Sequence, residues 1–193
     1  EIKMKKTMKF FKLFLALVLV FVFKNTQAQL LWKKGFVLLS NGDTVKGEIK
    51  VNPKKEFDLY SKVMVRKSEE EKRTFNPSKA KEFCFEDTRF ISRQVDGENS
   101  FVKCLSLGAV NLYQYQYEMQ SGSSIVYRSE YYIEKASSSE MVRVKSGHFR
   151  KIVEEYMGDN SDLVKDVMDK KYDFDQLAEV VQTYNSWAKT QKG

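Results

Sequence analysis

The chain reads as an α+β protein: an antiparallel β-meander of about seven to eight strands, an open roll or partial barrel, followed by three short C-terminal helices. Three observations carry this reading. Apolar and polar side chains alternate with period two in successive runs between Gly35 and Val144. Turn sequences punctuate those runs at Asn41-Gly42, Asp96-Gly97 and Ser121-Gly122-Ser123-Ser124. From Ser146 the apolar spacing lengthens to that of a helix.

In chain order, Gly35 to Ser40 leads into Asn41-Gly42-Asp43-Thr44. The next run sets Val45, Gly47, Ile49 and Val51 against Lys46, Glu48 and Lys50. Asn-Gly between two such runs predicts a hairpin with a type I′ turn. Asn52-Pro53 breaks the strand and Tyr60 to Arg66 resumes one. Lys67 to Arg73 is a charged hairpin tip, Thr74-Phe75 returns, and Asn76-Pro77-Ser78 turns. Three strand-like runs span Glu82 to Leu107. Ala109 to Tyr117 and Ile125 to Lys135 form another pair, and Met141 to Val144 closes the β region.

Phe149, Ile152, Val153, Tyr156 and Met157 then fall on one helical face that Gly158 ends. Leu163, Val164, Val167 and Met168 mark a second helix capped by Asn160 or Ser161. A third starts at Asp173 and carries Leu177, Val181, Tyr184 and Ala188. Such stripes require packing on the sheet or on one another.

Residues 1–28 have a different character. Lys5, Lys6, Lys9 and Lys12 precede the apolar block Leu13 to Phe23, and Asn25-Thr26-Gln27-Ala28 follows. This is the pattern of a secretory signal peptide cut between Ala28 and Gln29. The block is short for a membrane span, which takes about 20 apolar residues; the alternative is an uncleaved anchor. Residues 1–3 read as translated sequence ahead of a start at Met4 or Met8. The expected division is therefore 1–28 signal peptide, 29–145 antiparallel β region and 146–193 helical tail packed on it.

Six lysines and one glutamate in residues 1–28 hold most of the formal net charge of +7. The remainder is weakly charged with both signs interspersed, so nucleic acid is excluded as a partner. Membrane contact is expected only through the signal peptide before cleavage. No cysteine follows the cut closely enough for a lipoprotein. Cys84 and Cys104 make an even count, and in an oxidising compartment a disulfide is expected. It requires neighbouring strands with Cα atoms within about 7 Å; otherwise both are buried free thiols.

The inventory contains nothing to name as catalytic, cofactor-binding or metal-ligating. His148 is the single histidine and the cysteines stand apart, so neither a zinc site nor a Cys–His pair is assembled. Phosphate-binding, G-x-S-x-G and calcium-loop motifs are absent from the sequence. The aromatics are more informative. Six of the ten tyrosines fall between Tyr113 and Tyr132. They form either a cross-strand ladder or a ligand platform of Tyr113, Tyr115, Tyr117, Tyr127 and Tyr131 for a sugar or peptide.

The order of several motifs resembles a family of uncharacterised exported proteins of Bacteroidota. The residues are Gly35-Phe36-Val37-Leu38, Asn41-Gly42-Asp43-Thr44, Gly47 and Ile49; Pro77, Ala80 and Phe83; Phe101, Leu105, Gly108, Leu112 and Tyr113; and Tyr184-Asn185. Ala80 stands where that pattern has a branched residue. The resemblance spans nearly all of residues 29–193. It implies an envelope location and confers no functional residues.

Together these readings give an exported bacterial envelope protein, periplasmic or secreted, and a non-enzymatic binding or structural module whose partner is an envelope protein or a glycan. The alternative is a periplasmic or secreted hydrolase acting on glycans with carboxylate chemistry, which requires a concave pocket holding two carboxylates about 5–9 Å apart.

Overall fold

The structure, a computed structural model, describes residues 30–138 and 140–191. Residues 1–28, the cleavage position Ala28/Gln29 and Ser139 lie outside the described residues. Ten strands form one antiparallel sheet: β1 (Leu31–Leu39), β2 (Thr44–Val51), β3 (Val63–Arg66), β4 (Lys72–Phe75), β5 (Ala80–Phe85), β6 (Thr88–Val95), β7 (Glu98–Ser106), β8 (Val110–Ser121), β9 (Ser124–Lys135) and β10 (Val142–Val144). Helices α1 (Phe149–Met157), α2 (Ser161–Met168) and α3 (Leu177–Thr190) follow. The α+β class stands, with more strands than the seven to eight expected. Met141 to Val144, expected to close the β region, is there as the three-residue β10.

The order across the sheet is β10-β9-β8-β7-β6-β5-β1-β2-β3-β4. Every neighbour follows in sequence except β5, which pairs with β1 rather than β4. In a flat sheet four strand spacings, about 19 Å, would separate β4 from β5. Asn76–Lys79 connects them in a tight turn, with the Lys79 and Ala80 N–H groups donating to Asn76 O. A turn that compact cannot reach so far, so the sheet must curl into a half-barrel. Ser40 pins the closure: its N–H donates to Lys79 O at 2.9 Å and its hydroxyl to Ser78 O at 3.0 Å.

Two clusters occupy the inner face. One joins Phe83, Phe85, Phe90 and Phe101 to Val37, Ile49, Val63 and Val65. It is covered by a 3-10 turn, Glu56–Tyr60, which buries Leu59 and Tyr60. The sequence reading had Tyr60 open a strand. Its ring instead packs edge-on against Phe90 at 5.3 Å. The other cluster joins Val110, Leu112, Ile133 and Val144 to the buried faces of α1, α2 and α3. A smaller third cluster, Ile91, Val95, Val102, Tyr113 and Tyr132, lies on the opposite, outer face.

The caps match the expected helix starts. Asn160 Oδ1 accepts from Leu163 N–H at 3.1 Å, and Asp173 with Gln176 forms a capping box. Asp96 and Gly97 both have positive φ, as a type I′ turn requires. The Asn41-Gly42 turn departs from that form, because only Gly42 has positive φ. Asn41 instead accepts from Asp43 N–H at 3.1 Å, and Leu39 N–H closes a longer loop onto Asp43 O. Both sheet edges are blunted, β4 by exposed Lys72 and Arg73, β10 by its length. No helix of the described residues is long and apolar enough to cross a membrane.

Candidate functional site

The meander loses its regularity between β7 and β8. Their ladder runs only from Lys103↔Gln114 to Ser106↔Leu112, with a bulge between. Beyond Gln114, β8 continues with β9 alone, as a ribbon reaching Ser121↔Ser124. The parting strands leave a cleft of about 600 Å³ between Tyr115–Glu118, the 3-10 turn, the Asn76–Ser78 loop and the β6–β7 turn.

Aromatic rings shape this cleft. Tyr115 stacks on Tyr117 at 5.9 Å and meets Tyr60 edge-on at 5.7 Å. Around them stand Asn76, Asn99, Gln116 and Ser61, with the exposed acids Asp58, Glu98 and Glu118; no lysine or arginine lines it. Tyr60 donates to Gln114 Oε1 at 3.4 Å, and burial pushes its hydroxyl pKa well above the usual tyrosine value.

Behind the aromatics, the outer face of β9 carries two buried carboxylates. Glu130 accepts from Tyr117 OH and Tyr132 OH, both at 2.9 Å, and pairs with Arg143 at 2.5 Å. Glu134 accepts from Tyr113 OH at 2.5 Å and more loosely from Asn111 and Arg93. The bond to Glu130, ahead of desolvation, raises the Tyr117 pKa, while for Tyr113 and Tyr132 burial is the larger cause. These tyrosines are neutral donors at physiological pH. Tyr117 thus stands with its hydroxyl fixed to Glu130 and its ring toward the cleft.

The five tyrosines expected as one platform separate. Tyr113, Tyr115 and Tyr117 alternate along one face of β8. In the β8–β9 register, Tyr127 and Tyr131 oppose Glu118 and Gln114, on the other face. Tyr113 is buried. Tyr131 packs edge-on against Phe174 in the helix-covered core, and Tyr127 stacks on Phe57 at 4.9 Å. Only Tyr115 and Tyr117 line the cleft. Period-two alternation assigns faces within one strand, whereas the register between β8 and β9 decides which of those faces coincide.

The expected Cys84–Cys104 disulfide is corrected. Cys84 pairs with Arg89 across β5–β6, and β6 stands between the two cysteine strands. Two strand spacings, about 10 Å, exceed the reach of a disulfide, and both thiols are free. Burial pushes the Cys104 thiol up to about 12 and raises Cys84 as well, so neither is an activated nucleophile. His148 lies exposed ahead of α1 without a capping bond. No group of three or more His, Cys, Asp or Glu among the described residues is placed to hold a metal.

Sequence reasoning missed Tyr60, Glu130, Tyr132, Glu134 and Arg143. Glu130-x-Tyr132-x-Glu134 is a visible period-two set, but alternation does not say whether its face is covered. No protein-family model, curated protein or solved structure matches the chain.

Proposed function

We propose that this chain is an exported, non-enzymatic binding module of the bacterial envelope, and that its cleft takes a hydroxyl-rich neutral glycan. The observation that carries the reading is the Tyr115–Tyr117 stack, bordered by side-chain amides and carboxylates and without a cation. Sugars present C–H faces that pack on aromatic rings and hydroxyls that seek such partners. The signal-like residues 5–28 support export. The resemblance to exported Bacteroidota proteins points the same way.

Hydrolysis is the weaker reading. A general acid needs a desolvated carboxyl, yet Asp58, Glu98 and Glu118 are all exposed. Glu130 and Glu134 are buried, but four residues of strand place their Cα atoms about 13 Å apart. Both are occupied by tyrosine hydroxyls and an arginine.

The test is calorimetric titration with neutral oligosaccharides. Saturable binding with Kd on the order of 100 µM is expected. Tyr117→Leu weakens it about tenfold, and Tyr117→Phe, which keeps the ring, leaves it nearly unchanged. Turnover of a glycan, or equal binding by Tyr117→Leu, sinks the proposal. Intact mass of the exported protein, beginning at Gln29, tests the export half.

A further inference from the structure

Across Pro77 from the aromatic cleft lies a second cavity, of about 490 Å³. The Pro77 carbonyl is fixed there by the Ser92 hydroxyl at 2.8 Å. The charge of this cavity is opposite to that of the cleft: Lys81, Arg89 and Arg93 line it against one carboxylate, Glu82.

Arg93 is the side chain with capacity to spare. Its guanidinium stands 5.6 Å from the centre of the Tyr113 ring, which orients it. It makes two hydrogen bonds, one of 3.1 Å to Ser92 O and a long one of 3.5 Å to Glu134 Oε2. Glu134 is engaged more closely by Tyr113. A guanidinium offers five N–H donors in a planar fork, so most of the Arg93 donors remain open to a ligand. Arg89, on the same face of β6, pairs with Glu82 and is half-exposed. Lys81 is exposed on β5.

We infer that this cavity binds a phosphoryl group, with Arg93 as the principal donor and Arg89 and Lys81 supplying the field. The lining, taken with Glu82, is doubly positive, which matches a phosphate near neutral pH. The inference is independent of the glycan reading, because cavity, charge and residues differ.

The experiment is a ¹H–¹⁵N NMR titration with sodium phosphate against sodium acetate and sodium chloride at equal ionic strength. Phosphate is expected to saturate with Kd on the order of 1 mM and to shift signals of Arg89, Arg93 and Asn111. Arg93→Gln weakens binding about tenfold, Arg93→Lys restores part of it, and Lys145→Gln changes nothing. Equal affinity for acetate, shifts reproduced by chloride, or an Arg93→Gln variant that is folded and binds normally would each overturn the inference. Vesicles of phosphatidylglycerol against phosphatidylcholine then locate the group. Co-sedimentation lost in Arg93→Gln assigns it to a lipid headgroup, and phosphate binding without co-sedimentation assigns it to a soluble ligand.

Discussion

The two halves of the inner face solve one problem differently. Both must cover apolar strands, and β8–β10 do so with three helices laid on Leu112, Ile133 and Val144. The β1–β7 half has a single 3-10 turn, and it fills the remaining space with its own phenylalanines. Phe83 stacks on Phe90 at 4.7 Å and meets Phe101 edge-on at 4.9 Å. Pairs of this kind add about 1 kcal/mol beyond area burial. A sheet that covers itself must curl, and curling forces backbones together. A sheet covered by helices needs a join between layers. The aromatic cleft lies beside the stretch of β8 beyond Gln114, which has left β7 and continues with β9 alone.

The largest effect expected from breaking that contrast is in the curled half. Gly35 and Gly47 pair across β1–β2. A Cβ on Gly35 would stand 2.0 Å from Cys84 O, and one on Gly47 2.3 Å from Arg66 O. Both obstacles are backbone. Gly35→Ala should cost about 4 kcal/mol in urea unfolding; a cost near zero would mean that the curl does not depend on this approach.

Next comes the join in the helical half. Asn185 on α3 accepts from Val110 N–H at 2.9 Å, and donates to Val110 O at 2.7 Å and to Ser106 Oγ at 2.9 Å. Gly108 leaves the room, since its Cβ would meet the Asn185 side chain at 2.5 Å. Asn185→Ala should cost about 2–3 kcal/mol. Hydrogen exchange should quicken in α3 while β1–β3 amides keep their protection. Uniform loss of protection would show that the halves are one cooperative unit.

Alkaline pH weighs on both halves. Burial, then the bond to Asp159, raises Tyr184 to about 12, and burial raises Tyr60 in the other half. The native state therefore holds protons that the unfolded chain releases above about pH 10. Stability from these groups is complete below pH 10 and lost as pH rises toward the folded values, at about 1.4 kcal/mol per pH unit for each such group. Tyr184→Phe should flatten the decline between about pH 10 and 12. An unchanged slope would remove Tyr184 from the account.

The smallest effect is at the seam. Tyr117→Phe leaves Glu130 with Tyr132 and Arg143, so stability should fall by less than about 1 kcal/mol. A larger fall in thermal denaturation would make the Tyr117–Glu130 bond a structural tie rather than an orienting one.

Much of this was legible locally. The three helices, the Asn160 cap, the Asp96-Gly97 turn and the alternation of Tyr113, Tyr115 and Tyr117 all follow from neighbours in sequence. The cleft was half legible: its tyrosines stood out, while Tyr60 fell in an expected strand and nothing local marks Glu130 and Arg143 as partners. The disulfide failed because strand parity placed both cysteines on plausible faces without saying that β6 would lie between them.

Period, turn residues and caps act over a few bonds, so the sequence by itself determined which segments are strands or helices and which side chains share a face. Whether β5 pairs with β4 or returns to β1 depends on residues far apart in the chain, and the whole aromatic cluster is buried only when the sheet curls. Tertiary structure alone decided that pairing, and also the burial of Tyr60 over the curl, the parting of β7 from β8 and the cleft that follows.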